Sequence, residues 1–220
     1  MSPVAELYPE IVAHGTFAQA IVAVAAGRGV DLGDVSTPAG YAPADAWQFA
    51  DIRCGEQQMS AYLSDDEHRF RIIVTRSPQV WAAGLADSLD AVVDVAVAWC
   101  AGMRLRDAVR RFPFLATTGL ELAFEAGTHV EYRWSVFLGN TDEYPNMQPL
   151  LRAVHADDRL RTLFPSVSHD EELRLDAPVG QLRFELLPSG QFRVSVGADE
   201  PAGTYDVDGA VRWAAELAAP

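Results

Sequence analysis

The sequence predicts an α+β fold: an N-terminal antiparallel meander, central helices, and a C-terminal β-hairpin sheet closed by a terminal helix. Two observations carry this. Period-two apolar alternation is confined to two regions, around residues 47–85 and 173–196. Between them lie apolar residues at helical spacing, so strands and helices are segregated rather than alternating.

The elements follow in chain order. Thr16 precedes an apolar run and stands three residues before Gln19, the spacing of a capping box, and Gly27 and Gly29 end that helix. Residues 30–46 hold Gly33, Pro38, Gly40 and Pro43 and read as a loop. Between Trp47 and Cys54 the apolar phase changes, from Trp47 and Phe49 to Ala50, Ile52 and Cys54, which predicts a bulge. Met59, Ala61 and Leu63, then Phe70, Ile72 and Val74, then Val80 to Leu85 complete a four-stranded meander.

Leu89, Val92, Val93, Ala96, Val97 and Cys100 share one helical face, and Gly102 follows as a C-cap. Short helices are expected at 105–112, 118–125, 130–138 and 145–156, and a further one, capped by Asp157 or Asp158, before Pro165. Leu173 and Leu175, then Leu182, Phe184 and Leu186, then Phe192, Val194 and Val196 alternate, with Pro188-Ser189-Gly190 turning the last two runs into a hairpin. Asp208 is the expected cap of the final helix. The 220 residues read as a single compact unit, with a loose joint near Gly139–Pro145 that would separate residues 1–140 from residues 141–220.

Composition excludes several classes of function. The formal net charge is −14, which repels phosphate backbones and sets nucleic acid aside as a partner. All 17 basic residues are arginine. Without lysine there is no Schiff-base chemistry, no pyridoxal-phosphate anchor and no P-loop lysine. No GxGxxG, GxSxG or HExxH motif occurs. The five histidines lie far apart, so neither a metal nor any other cofactor is expected. Cys54 and Cys100 are too few for a disulfide scaffold, and Cys100 is read as a small hydrophobe. The N-terminus lacks the pattern of a signal peptide, and the longest apolar stretch, Ala18 to Ala26, is too short to span a bilayer. The chain is therefore read as cytoplasmic, with no membrane partner.

The candidate site residues are scattered. His169 sits between a helix end and a strand, beside Ser168 and the carboxylates Asp170, Glu171 and Glu172, which can hold one tautomer. His169 is the candidate general base, with His155 as a second proton carrier. Arg174 or Arg133 would clamp an anion, and Ser168 and Trp134 would complete a substrate-binding set.

Two segments resemble a known family. One runs Trp81-Ala82-Ala83-Gly84, Asp87, Leu89, Ala98-Trp99-Cys100-Ala101-Gly102, Leu105 and Pro113-Phe114. The other runs from Leu150 to Ala156, from Arg159 to Pro165, then Ser168-His169, Leu173-Arg174-Leu175 and Gly190 to Val194. Across residues 80–200 the chain resembles an actinobacterial family of uncharacterised domains labelled natural product biosynthesis proteins. In that family an aromatic residue follows the Ser-His pair, where this chain has Asp170. The resemblance implies a place in specialised metabolism.

Two functions fit. One is an accessory protein that binds a pathway enzyme, a precursor peptide or a small-molecule intermediate, adding a peptide strand at an exposed sheet edge. The other is a small cofactor-independent cyclase, lyase or isomerase that uses His169 as general acid/base.

Overall fold

The protein, described here by a computed structural model, has an α+β fold with two antiparallel sheets. Residues 3–38, 43–76, 79–168, 172–197 and 203–218 are described. His169, Asp170 and Glu171 lie outside them. The chain divides into two compact units, residues 1–125 and 126–220. The boundary precedes the region 139–145 expected from sequence, because the helix carrying Trp134 and Phe137 builds the second core.

The first unit begins with helices α1 (Pro3–Leu7), α2 (Pro9–His14) and α3 (Phe17–Gly27). Thr16 caps α3, its side chain accepting from the Gln19 N–H at 3.2 Å. Strand β1 (Asp34–Ser36) and the short α4 (Pro43–Ala46) lead into β2 (Phe49–Cys54), β3 (Gln57–Leu63), β4 (Phe70–Arg76) and β5 (Gln79–Ala86). Helices α5 (Leu89–Cys100) and α6 (Leu105–Arg111), strand β6 (Leu115–Ala116) and helix α7 (Gly119–Ala126) follow. The sheet runs β1-β2-β3-β4-β5-β6 in sequence order, each neighbour antiparallel.

The alternation predicted for the meander sets its layers. Ala50, Ile52, Met59, Ala61, Phe70, Ile72 and Val74 are buried together with Phe17 and Ile21 of α3 and with Val92, Val93, Ala96 and Trp99 of α5. The expected bulge falls elsewhere. Trp47 lies before β2, so Ala50 and Ile52 keep one phase throughout it. The register shift instead occurs at Val74/Thr75, between β4 and β5. Gly84 permits a close approach: a Cβ there would lie 2.0 Å from the Phe114 carbonyl oxygen, so the segment leading into β6 crosses bare backbone.

Cys100 is not a free hydrophobe, because it is disulfide-bonded to Cys54, with the two Cα atoms 5.3 Å apart. The apolar face of α5 that carries Cys100 brings it to the end of β2, which helical periodicity alone does not reveal. The bond ties the sheet to its covering helix.

Tyr8 holds the turn between β3 and β4. It is fully buried, and its hydroxyl oxygen lies 2.6 Å from the Arg69 carbonyl and accepts from the Ser64 and Arg69 N–H groups, each at 3.0 Å. His68 stacks on the Tyr8 ring at 4.9 Å and pairs with Glu10 at 2.7 Å.

The second unit holds α8 (His129–Gly139), α9 (Gln148–Ala156) and a 3₁₀ turn at Leu160–Thr162. Strands β7 (Phe164–Val167), β8 (Glu172–Ala177), β9 (Gly180–Leu186), β10 (Phe192–Val196) and β11 (Gly203–Tyr205) follow, and helix α10 (Val207–Leu217) closes it. The sheet order is β11-β10-β9-β8-β7. Leu173, Leu175, Leu182, Phe184, Phe192 and Val194 pack with Trp134, Leu150, Leu151 and Val154 of α8 and α9 and with Ala210 and Ala214 of α10. Asp206, not Asp208, caps α10, accepting from the Gly209 N–H at 2.8 Å. Asp157 caps the 3₁₀ turn, after which the chain enters a strand where the sequence predicts helix up to Pro165. No described helix is long and apolar enough to cross a membrane.

Three outcomes are expected. Reduction of the Cys54–Cys100 bond, which spans 46 residues, releases a loop whose closure stabilises the first unit by about 4 kcal/mol. Urea unfolding with and without a thiol reductant measures that difference. Tyr8→Phe removes the hydroxyl bonded to this turn, while the Ser64 and Arg69 N–H groups keep the Arg69 and Glu67 carbonyls as acceptors, and costs about 0.5–1.5 kcal/mol at unchanged urea m value. Burial raises the pKa of Tyr8 above its ordinary value of 10.0. The unfolded chain therefore loses this proton first, and stability present below pH 10 is lost as pH rises through the folded value. Above pH 10, wild type should lose more stability on each pH step than Tyr8→Phe.

Candidate functional site

Strand alternation divides the polar residues of the second unit between two surfaces. Leucines, phenylalanines and valines of β8, β9 and β10 face the helices, so the intervening residues face away from them. On that open face the register aligns Ser166, Arg174, Arg183 and Ser195 in one row across β7, β8, β9 and β10. A neighbouring row holds Glu172, Glu185 and Arg193.

Ser168 and Arg174 belong to this face. The Ser168 N–H donates to the Glu172 carbonyl at 3.0 Å, while the Ser168 hydroxyl oxygen is enclosed and has no hydrogen-bond partner. The Arg174 Nε donates to the Glu172 carboxylate. Trp134 and His155 lie in the helix layer instead. Trp134 is buried in the core, its Nε1 donates to the Leu163 carbonyl at 3.2 Å, and the His155 ring packs 5.4 Å away. Arg133 lies over the Phe137 ring at 4.5 Å, a cation–π contact. The sheet thus separates Arg174 and Ser168 from the Trp134–His155 pair. His169, the candidate base, is outside the described residues.

The C-terminal hairpin is interior to its sheet, because β9 also pairs with β8 and β10 with β11. It offers no free edge to a peptide strand. The β7 edge is blunted as well. Since the Ser168 N–H points at β8, alternation places Pro165 and Val167 toward the free side, and Pro165 has no N–H to offer.

A groove of about 630 Å³ opens where the β9–β10 turn meets the start of α9. Pro145, Pro149 and Pro188 line it together with Leu186, Phe192 and Val207. Asn146, Leu187 and Gly190 line it too, and among the described residues none of the lining side chains is an acid, a base or a nucleophile. The turn beside it is braced by the Leu187 N–H donating to the Gln191 carbonyl and the Gly190 N–H donating to the Leu187 carbonyl, each at 2.8 Å. Just before the groove, Tyr144 donates to the Glu143 carboxylate at 2.9 Å, and burial followed by that carboxylate raises its pKa. A more open recess of about 550 Å³ lies between α9 and α10, where Arg159 donates to the Ala215 carbonyl at 3.1 Å.

Among the described residues no cluster of His, Cys, Asp and Glu is arranged to hold a metal ion. Nothing in the sequence singles out the groove, since its lining comes from separate elements and consists of residues that sequence reading assigns to turns and core. Comparison with protein-family models, curated proteins and solved structures finds no match.

Tyr144→Phe removes only the hydroxyl that Glu143 accepts. It should change stability by less than about 1 kcal/mol at neutral pH, because the pair is on the surface, as urea unfolding will report.

Proposed function

We propose that this chain is an accessory binding protein of a specialised-metabolite pathway, one that holds an apolar segment of a partner rather than converting a substrate. The observation that carries this reading is the groove at the β9–β10 turn. Its volume of about 630 Å³ falls within the range of ligand-sized sites. Lining prolines make it rigid before anything binds, which lowers the ordering cost of association. Its lining has apolar surface for affinity and, among the described residues, no group that transfers a proton or attacks a bond. The resemblance of residues 80–200 to natural product biosynthesis proteins supplies the pathway setting. A precursor peptide or a segment of a pathway enzyme presents the chemistry that such a groove accepts.

The test is metabolite profiling by mass spectrometry of a producing strain carrying variants of this gene. Asn146→Trp, at an exposed position on the groove rim, fills the groove with little demand on the core. This variant should lose at least about tenfold of the product, as expected when a partner is displaced, with no new intermediate and an unchanged circular dichroism spectrum. His169→Ala should leave product levels intact. An accumulating intermediate that differs from the product by a defined mass change, in either variant, would identify an enzyme and contradict the reading.

A further inference from the structure

The open face of the second sheet carries a row of groups that the groove does not use. Arg174 and Arg183 stand directly opposite each other on β8 and β9. Like charges in that relation destabilise a sheet unless something lies between or above them. The acids of the face already have partners. Glu172 accepts from Arg174, Glu185 accepts from Arg193 at 2.8 Å, and Asp176 accepts from the Gln181 amide at 3.2 Å. Arg183 has none: among the described residues it makes no ion pair, and its Nε is enclosed without a hydrogen-bond partner. Ser166 and Ser195 flank the two arginines in the same row. The enclosed, unpartnered hydroxyl of Ser168 stands just past the end of β7, where its N–H donates to the Glu172 carbonyl.

We propose that the row Ser166–Arg174–Arg183–Ser195 is a binding site for a carboxylate. A planar guanidinium donates two parallel hydrogen bonds to a carboxylate, and hydroxyl donors at either end extend the same line. The ligand's charge offsets the opposition of Arg174 and Arg183, and its oxygens give the Arg183 side chain a partner. In a chain of net charge −14, a half-buried arginine beyond reach of every described carboxylate is a local reversal of the surrounding field. Carboxylates reach such a face from two sources, a small organic acid or an acidic peptide segment. This inference is independent of the groove, which lies on the helix-facing side of the same sheet.

Isothermal titration calorimetry of the full chain at fixed ionic strength tests it, with succinate and a hexaglutamate peptide as probes and inorganic phosphate as comparator. At least one carboxylate probe should bind saturably. Its affinity should fall about tenfold or more in Arg183→Gln and stay unchanged in Arg193→Gln, whose native arginine already pairs with Glu185. Binding of succinate alone assigns the site to small acids, and binding of hexaglutamate alone to a peptide. Without ligand, Arg183→Gln should melt at the wild-type temperature or above it, since it removes a like-charge opposition. The proposal is overturned if neither carboxylate binds, if Arg183→Gln binds as wild type does, or if phosphate binds more tightly than both probes. A melt several degrees lower with unchanged affinity would also overturn it, by giving Arg183 a structural role.

Discussion

A β-sheet with one apolar face must have that face covered, and in each unit of this protein the cover is helical. In the first unit α3 and α5 lie over Ala50, Ile52, Met59, Phe70 and Ile72. In the second, α8, α9 and α10 lie over Leu173, Leu175, Leu182, Phe184 and Val194. The groove and the polar row of the second unit both follow from that division. Alternation sends the apolar residues inward, where the end of the core opens into the proline-lined groove. The same alternation sends the serines and arginines outward into one row. A register slip by one residue on β9 would exchange Arg183 with Phe184 and destroy core and polar row together.

The link from sequence to fold is strongest where the periodic signal is long. The helix at Leu89–Cys100 and the strands around Phe70–Val74, Leu182–Leu186 and Phe192–Val196 are legible because burial alone fixes their pattern. The short edge strands β1, β6, β7 and β11 are not, since two to four residues carry no period. Pro165 reads as a helix stop, yet it lies within a strand, at the side of the ladder where its missing N–H costs nothing. The disulfide is not legible because its two half-cystines lie 46 residues apart and only the packing of α5 on β2 brings them together.

Function is less legible than fold. Sequence directs attention to single reactive residues, and the structure disperses them: Trp134 is a core residue with its nitrogen bonded to a backbone carbonyl, and His155 packs beside it. Arg174 is visible in the sequence as a candidate anion clamp, but Arg183 is not. It reads as an ordinary outward residue of an amphipathic strand, and only the register with Arg174 gives it meaning. The groove shows the same dependence on tertiary structure, because its lining comes from the α9 approach, the β9–β10 turn and the start of α10.

The claim that this protein binds without converting is tested most directly by equilibrating it with an extract of the strain that lacks it. The retained and free fractions are then compared by mass spectrometry over time. The account predicts a retained species whose mass equals its mass in the untreated extract and does not change. A species of new mass that grows with incubation, or no retained species at all, would contradict it.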